Sequence, residues 1–117
     1  MNNKNSFDEL HFFAEVKKCP QIYLGKASLL SLRDYIFGMQ YAFDFYTEEA
    51  QFKYFGLFAD WYFENVIKDQ NGYACWWNHL LYVSGNYDDL ALHAFFREFE
   101  RYLKDFHNLC LPEVIEK

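Results

Sequence analysis

The sequence has few of the residues that interrupt helices or crosslink chains. It contains two prolines, five glycines and three cysteines in 117 residues. An odd, small number of cysteines predicts free, mostly buried thiols and excludes a disulfide framework as the main source of stability. The polar start, residues 1–6, lacks the apolar segment of a signal peptide, so we expect a cytoplasmic protein.

Long hydrophobic runs are also missing. No stretch of roughly 18 uncharged apolar residues occurs, so the sequence predicts no membrane span. The apolar fraction of 52% is nevertheless high enough to exclude a disordered chain. The length fits one domain over residues 1–117, with flexible ends expected at about 1–5 and 112–117.

Positive charge is scarce in the middle of the chain. From Asp34 to Phe96 there are nine acidic residues and two basic ones, Lys53 and Lys68, and the whole chain carries a net charge of −6. An acidic surface repels phosphate groups and attracts basic proteins. We therefore expect no nucleic-acid binding, and we expect any charged partner to be basic.

Aromatic residues are abundant, with 14 Phe, 10 Tyr and 3 Trp. Each buries a large area, so the core should be well supplied. One small domain cannot hide all of them, and we expect the surplus to line a pocket, a groove or an interface.

Apolar residues recur at intervals of three and four, while β-type alternation is missing. This period predicts helices at about 7–18, 29–46, 48–69 and 73–84, and a fifth helix that begins at Asn86 or Asp88 and runs to about Phe106. The predicted fold is all-α, a single-domain bundle or orthogonal array of about five helices. The wide apolar surface of the second helix predicts a central position.

The solvated face of the third helix is predicted to consist of Lys53, Gly56, Asp60, Glu64 and Lys68. The fourth helix is nearly all apolar, so we expect it to be packed on all sides. The fifth is the clearest amphipathic helix, with Glu98 on its outer face and an apolar seam of Leu92, Phe95, Phe99, Tyr102 and Phe106.

Capping signals mark the predicted helix starts. Ser6 and Glu9 have the spacing of a capping box, Ser28 precedes the second helix, and Thr47 precedes the third. Gly38 lies inside the second helix, where it indicates a close crossing with a neighbouring helix.

The stretch from Lys18 to Gly38 contains more signals for local structure than any other part of the chain. Pro20 should end the first helix, because it lacks an N–H and disfavours helix in the preceding residue. Gly25 permits a tight turn. The residues between them, Ile22, Tyr23 and Leu24, are predicted to form an apolar plug between helices.

This stretch resembles a pattern found in small bacterial helical proteins. The matching residues are Pro20, Tyr23, Leu24, Gly25, Ser28, Leu29, Leu32, Tyr35 and Gly38. Those proteins also have a Trp in the second half, here Trp76 or Trp77, and a last helix similar to the one containing Ala94, Phe95 and Phe99. Some are immunity partners of polymorphic toxins, so the resemblance implies an all-α fold and a toxin-binding role. Cys19 stands where an Arg is common, and no role of that Arg carries over.

Catalytic and metal-binding patterns are weak. Cys75 with His79, and His107 with Cys110, have spacings that a zinc site permits, but no tight Cys-x-x-Cys occurs. Cys75 with His79 is also the one Cys–His pair that local spacing could bring together, and its apolar context favours a structural role. We expect no cofactor, no metal and no enzymatic activity.

The Trp76-Trp77-Asn78 group permits two interpretations. It is a core anchor with one hydrogen bond from an indole N–H to Asn78, or Trp77 is exposed and acts as a binding anchor. The first interpretation is favoured.

The sequence thus predicts a non-enzymatic, acidic protein-binding module, such as an immunity-type inhibitor of a basic toxin. The candidate partner-binding residues are Asp60, Glu64, Trp77, Tyr87, Asp88 and Asp89. Two alternatives remain open: a small-molecule-binding domain with an aromatic pocket among the second to fourth helices, and a homodimer joined through surplus aromatics.

Overall fold

The computed structural model describes residues 7–68 and 75–114, and within these ranges the regular elements are all helical. The α-helices are α1 (Glu9–Lys18), α2 (Pro20–Leu24), α3 (Leu29–Tyr46), α4 (Phe55–Tyr62), α5 (Trp76–Val83) and α6 (Asp88–Tyr102). Two of them continue into π-helical turns, π1 (Phe63–Ile67) after α4 and π2 (Leu103–His107) after α6. The predicted all-α fold class is confirmed.

Helix α3 has the predicted bounds, and the segment before it behaves largely as expected. Gly25 adopts a left-handed conformation with φ 79°, and the Ser28 hydroxyl accepts a hydrogen bond from the Ser31 N–H at 3.0 Å. Pro20 does end α1, but it also begins the short helix α2, where its missing N–H costs nothing. The predicted apolar plug is partly wrong, since Ile22 is exposed while Tyr23 and Leu24 are half-buried.

The start of α1 differs from the predicted capping box. Asp8 caps this helix by accepting a hydrogen bond from the His11 N–H at 3.1 Å, and Ser6 lies outside the described residues. The Glu9 carboxylate is buried and accepts hydrogen bonds from the Tyr54 N–H at 3.0 Å and the Phe55 N–H at 2.6 Å. It therefore caps α4 across a gap of 45 residues in the chain.

The third predicted helix begins later than its sequence signals indicate. Thr47 ends α3, and its hydroxyl accepts a hydrogen bond from the Glu49 N–H at 3.1 Å. Helix α4 then begins at Phe55, where the Glu9 carboxylate accepts the first free N–H groups. The predicted solvated face is confirmed, with Lys53, Asp60 and Glu64 all exposed.

Helix α6 begins at Asp88, one of the two predicted starts, and continues through π2 to His107, close to the predicted end. Helix α5 begins at Trp76, and the predicted start at Tyr73 and the turn signal Asn71-Gly72 lie outside the described residues. Trp76 is buried, but Tyr82 and Val83 are exposed, so α5 is not packed on all sides. On α6 the residues of the predicted apolar seam are buried from Leu92 to Tyr102. Phe106 is exposed because it follows in π2, and Glu98, expected on the outside, is buried between Arg97 and Arg101.

The core is an aromatic cluster. Phe58 of α4 lies 5.4 Å, ring centroid to ring centroid, from both Trp76 of α5 and Phe95 of α6. Phe13 of α1 joins the same cluster through Phe99, at 4.6 Å. Four helices thus meet around stacked and edge-on rings, an arrangement that aromatic quadrupoles favour.

Two further expectations about α3 are wrong. Gly38 is exposed, and a Cβ built on it meets no atom within 4 Å, so no helix of the described part of the chain crosses closely there. The helix is not central along its length either, because its fully buried residues, Leu29, Leu32 and Ile36, all lie in its first half.

Replacing Glu9 tests the long-range cap. We expect Glu9→Ala to lower the free energy of unfolding by about 2–3 kcal/mol, because it leaves the Tyr54 and Phe55 N–H groups without acceptors. Glu9→Gln keeps one acceptor oxygen, so its free energy of unfolding should lie between those of Glu9→Ala and the parent. Urea denaturation followed by circular dichroism measures both.

The exposed Glu48 provides the matched control, and Glu48→Ala should change stability by less than about 0.5 kcal/mol. A Glu9→Ala loss no larger than that of the control would show that the cap contributes little.

Candidate partner-binding surfaces

The candidate residues predicted from the sequence fall on several elements. Asp60 lies on α4 and Glu64 on π1, Trp77 lies on α5, and Tyr87 to Asp89 lie at the start of α6. Asp60 and Glu64 line one cleft. The others have surroundings of their own, which decide how much of each side chain a partner can reach.

Asp88 is engaged within the fold. One carboxylate oxygen accepts a hydrogen bond from the Ser28 hydroxyl at 2.5 Å, and the other accepts one from the Leu30 N–H at 3.2 Å. The first turn of α6 therefore caps the first turn of α3 and fixes the two helix starts together. Asp89 and Tyr87 are exposed, and the Asp89 carboxylate accepts a local hydrogen bond from the Leu90 N–H.

Trp77 is half-buried and packs beside α3. Its ring lies edge-on to Phe37 at 5.7 Å, and the Arg33 guanidinium lies 5.2 Å from its ring centroid. Trp76 is a core residue as predicted, but Asn78 is exposed, and the hydrogen bonds among the described residues do not join it to either indole. Trp77 thus extends the α3 surface as a partly covered ring.

The second half of α3 presents aromatic side chains to solvent. Phe37, Tyr41 and Phe45 follow one another at four-residue intervals and are 44%, 69% and 70% exposed. Residues four apart lie on one helix face, and the Tyr41 and Phe45 rings meet edge-on at 5.1 Å. We call these three residues the aromatic ridge.

Acidic residues flank the aromatic ridge. Asp44 is exposed on α3, and Glu48 and Glu49 are exposed in the turn that follows. Between Phe37 and Phe52 these are the three charged residues, and no basic residue occurs there. The ridge therefore combines apolar area with a negative local charge.

The sequence pattern does not predict the ridge. The wide apolar surface of α3, which includes Phe37, Tyr41 and Phe45, predicts neighbours on several sides and therefore a buried position for these residues. One signal in the sequence does indicate an exposed face. A helix that is apolar almost all round needs neighbours on every side to be buried. The other predicted helices have enough aromatic residues to fill a core among themselves, so part of α3 is left without a place in it.

A second candidate surface is an open cleft of about 410 Å³ between the ends of α4 and α6. It is lined by Leu57, Asp60, Trp61, Glu64, Asn65, Asp105 and Phe106. We call it the acidic cleft. The sequence identified two of its carboxylates, Asp60 and Glu64, but not Asp105, which follows them by more than forty residues.

The histidines considered as metal ligands are used in hydrogen bonds. His79 Nδ1 lies 2.7 Å from the buried Tyr62 hydroxyl, and His107 Nε2 lies 2.8 Å from the Tyr102 hydroxyl. Within residues 7–68 and 75–114, no group of three or more His, Cys, Asp or Glu side chains has a metal-binding arrangement. The expectation of mostly buried thiols is wrong, since Cys110 is exposed and Cys19 and Cys75 are half-buried.

No family model, no curated protein and no solved structure matches this chain. The resemblance of residues 20–38 to small bacterial helical proteins therefore stays a prediction, although Pro20, Gly25 and Ser28 have clear local roles in the fold. In the part of the chain that the structure describes, no helix is both long enough and apolar enough to cross a membrane.

The pH dependence of stability tests the buried Tyr62–His79 pair. Burial lowers the pKa of His79 below its ordinary value of 6.5, so the unfolded chain accepts a proton that the folded protein resists. The His79 contribution is therefore fully present above pH 6.5 and decreases as the pH falls from there through the lower pKa of the folded state.

The free energy of unfolding, measured by urea denaturation between neutral and mildly acidic pH, should fall less steeply in His79→Gln than in the parent. His93 is exposed on α6, and His93→Gln is the matched control that should keep the parental slope. Equal slopes in all three proteins would contradict the shifted pKa of His79.

Proposed function

We propose that this protein is a non-enzymatic binding protein whose aromatic ridge docks a basic protein partner, as in an immunity-type inhibitor of a basic toxin. The observation that supports the proposal is the line of Phe37, Tyr41 and Phe45 on an exposed helix face. Aromatic side chains in contiguous exposed patches are typical of protein interfaces, and they are frequent among the residues that dominate binding energy.

The core is filled without these rings. The ring of Phe58 already packs against aromatic rings from α4, α5 and α6, so other residues occupy the interior. Exposing Phe37, Tyr41 and Phe45 to water carries a hydrophobic cost that a partner surface would remove. The spacing of four residues presents the side chains as one continuous strip, which suits a groove or a flat apolar patch on the partner.

Charge favours a basic partner. Asp44, Glu48 and Glu49 flank the ridge, and the segment between Phe37 and Phe52 has no basic residue to balance them. Opposite charges across an interface speed association, whereas like charges oppose it.

A pull-down from the native host with matched baits tests the proposal. The parent, a Tyr41→Ala/Phe45→Ala variant and Tyr46→Ala would be compared side by side. Tyr46 is 88% exposed on the same helix but off the line of the ridge, so it controls for loss of an exposed ring. We expect one basic protein to be retained by the parent and the control and lost from the ridge variant.

Binding of that protein should be weakened about 30-fold or more by the ridge variant, equivalent to about 2 kcal/mol, and should change little in the control. Association should slow as salt rises, and more steeply for the parent than for Glu48→Gln/Glu49→Gln. Equal binding by the ridge variant and the parent would exclude the ridge as the docking surface. A parental dimer in light scattering that the ridge variant loses would assign the ridge to self-association instead.

A further inference from the structure

Two helices of this protein end in the same unusual way. Helices α4 and α6 each widen into a π turn and stop at a non-glycine residue with positive φ, Lys68 at 58° and Asn108 at 55°. At the end of π1 the Lys68 N–H donates to the Phe63 carbonyl five residues earlier, at 2.8 Å. Such π turns are rare and occur often at functional sites.

The acidic cleft lies between these two turns. Glu64 and Asn65 belong to π1, while Asp105 and Phe106 belong to π2. The cleft is therefore built from both irregular helix ends, on backbone fixed by the packing of α4 against α6.

The walls of the cleft are apolar. Leu57 and Phe106 are about half exposed at its edges, and the buried Trp61 contributes its indole ring. The Arg101 guanidinium already lies 5.4 Å from the Trp61 ring centroid, so the exposed Phe106 is the ring that an entering side chain can reach. Arg101 also donates to the Glu98 carboxylate at 3.1 Å, which holds it on α6.

The rim of the cleft is acidic and unpaired. Asp60, Glu64 and Asp105 are exposed, and none of them forms an ion pair or hydrogen bond within residues 7–68 and 75–114. Among the described residues that line the cleft, none is basic. Asp60 and Glu64 lie four residues apart, and Asp105 comes from the other helix, so a cation entering the cleft meets carboxylates from both elements.

We propose that the acidic cleft docks an arginine side chain of the basic protein partner. The inference rests on the proposed function for the identity of that partner, but its site is separate from the aromatic ridge. A guanidinium is planar, binds carboxylates through two parallel hydrogen bonds and stacks on aromatic rings, so it fits a cleft with carboxylates at the rim and rings in the walls. A metal ion fits poorly, because the carboxylates do not form a metal-binding group.

A nuclear magnetic resonance titration with a short neutral-ended peptide containing one arginine tests the cleft without the partner. The matched probe replaces that arginine with citrulline, which has the same shape and no charge, at ionic strength equalised with sodium chloride. We expect the arginine peptide to bind in the millimolar range. Amide shifts should be confined to residues 57–65 and 104–107 and to the Trp61 indole N–H, with little response to citrulline.

Substitutions at the rim give the matched controls. Asp60→Asn, Glu64→Gln and Asp105→Asn should each weaken binding of the arginine peptide about three- to fivefold, the size expected for partly exposed ion pairs. Glu113→Gln removes an exposed carboxylate outside the cleft and outside the ridge, and it should leave binding unchanged. Equal shifts with citrulline, shifts spread over the whole acidic surface, or no saturable binding would overturn the proposal.

The two proposals fail separately. Saturable arginine binding in the cleft, with partner binding unaffected by the ridge variant, would remove the ridge and keep the cleft. Loss of partner binding in the ridge variant, with no arginine binding in the cleft, would support the ridge as the docking surface and rule out the cleft as an arginine site.

Discussion

The packing of aromatic rings around Phe58 is the constraint on which the rest of the structure depends. Its ring lies within 5.4–5.6 Å of rings from Trp76, Phe95, Phe99 and Tyr102, so α4, α5 and α6 must all approach the same point. Flat rings leave few alternative ways to fill this volume. This cluster therefore fixes how α4, α5 and α6 pack against one another.

Buried and half-buried polar groups then fix how the helices join. The Glu9 carboxylate caps α4 and the Asp88 carboxylate caps α3, each across more than forty residues of sequence. Helix starts have free N–H groups that must find acceptors, and here distant carboxylates provide them. This places α1 against α4 and α6 against α3, and in residues 7–68 and 75–114 no helix covers Tyr41 and Phe45 in the second half of α3. The aromatic ridge is a direct consequence.

Helix bounds, caps and turns were predictable from the sequence where neighbouring residues determine them. The bounds of α3, its Ser28 cap and the Gly25 turn follow from neighbouring residues, and they agree with the structure. The start of α4 was predicted too early because Thr47 looks like a helix cap. The acceptor that begins α4 is Glu9, and no pattern within a window of a few residues could reveal it. Of the site, Asp60 and Glu64 were identified as exposed carboxylates, while Asp105 and the ridge were not.

By itself the sequence determined an all-α fold with a strong aromatic core, an acidic middle segment and the solvated face of α4, because these depend on composition and on the period of one helix. Only the tertiary structure decided which aromatic face stays exposed and which carboxylates share a cleft. The period of a helix specifies the direction of each side chain around its own axis, but not which other helix, if any, lies in that direction. Phe37 and Phe95 therefore look alike in sequence, while one lies on the surface and the other in the core.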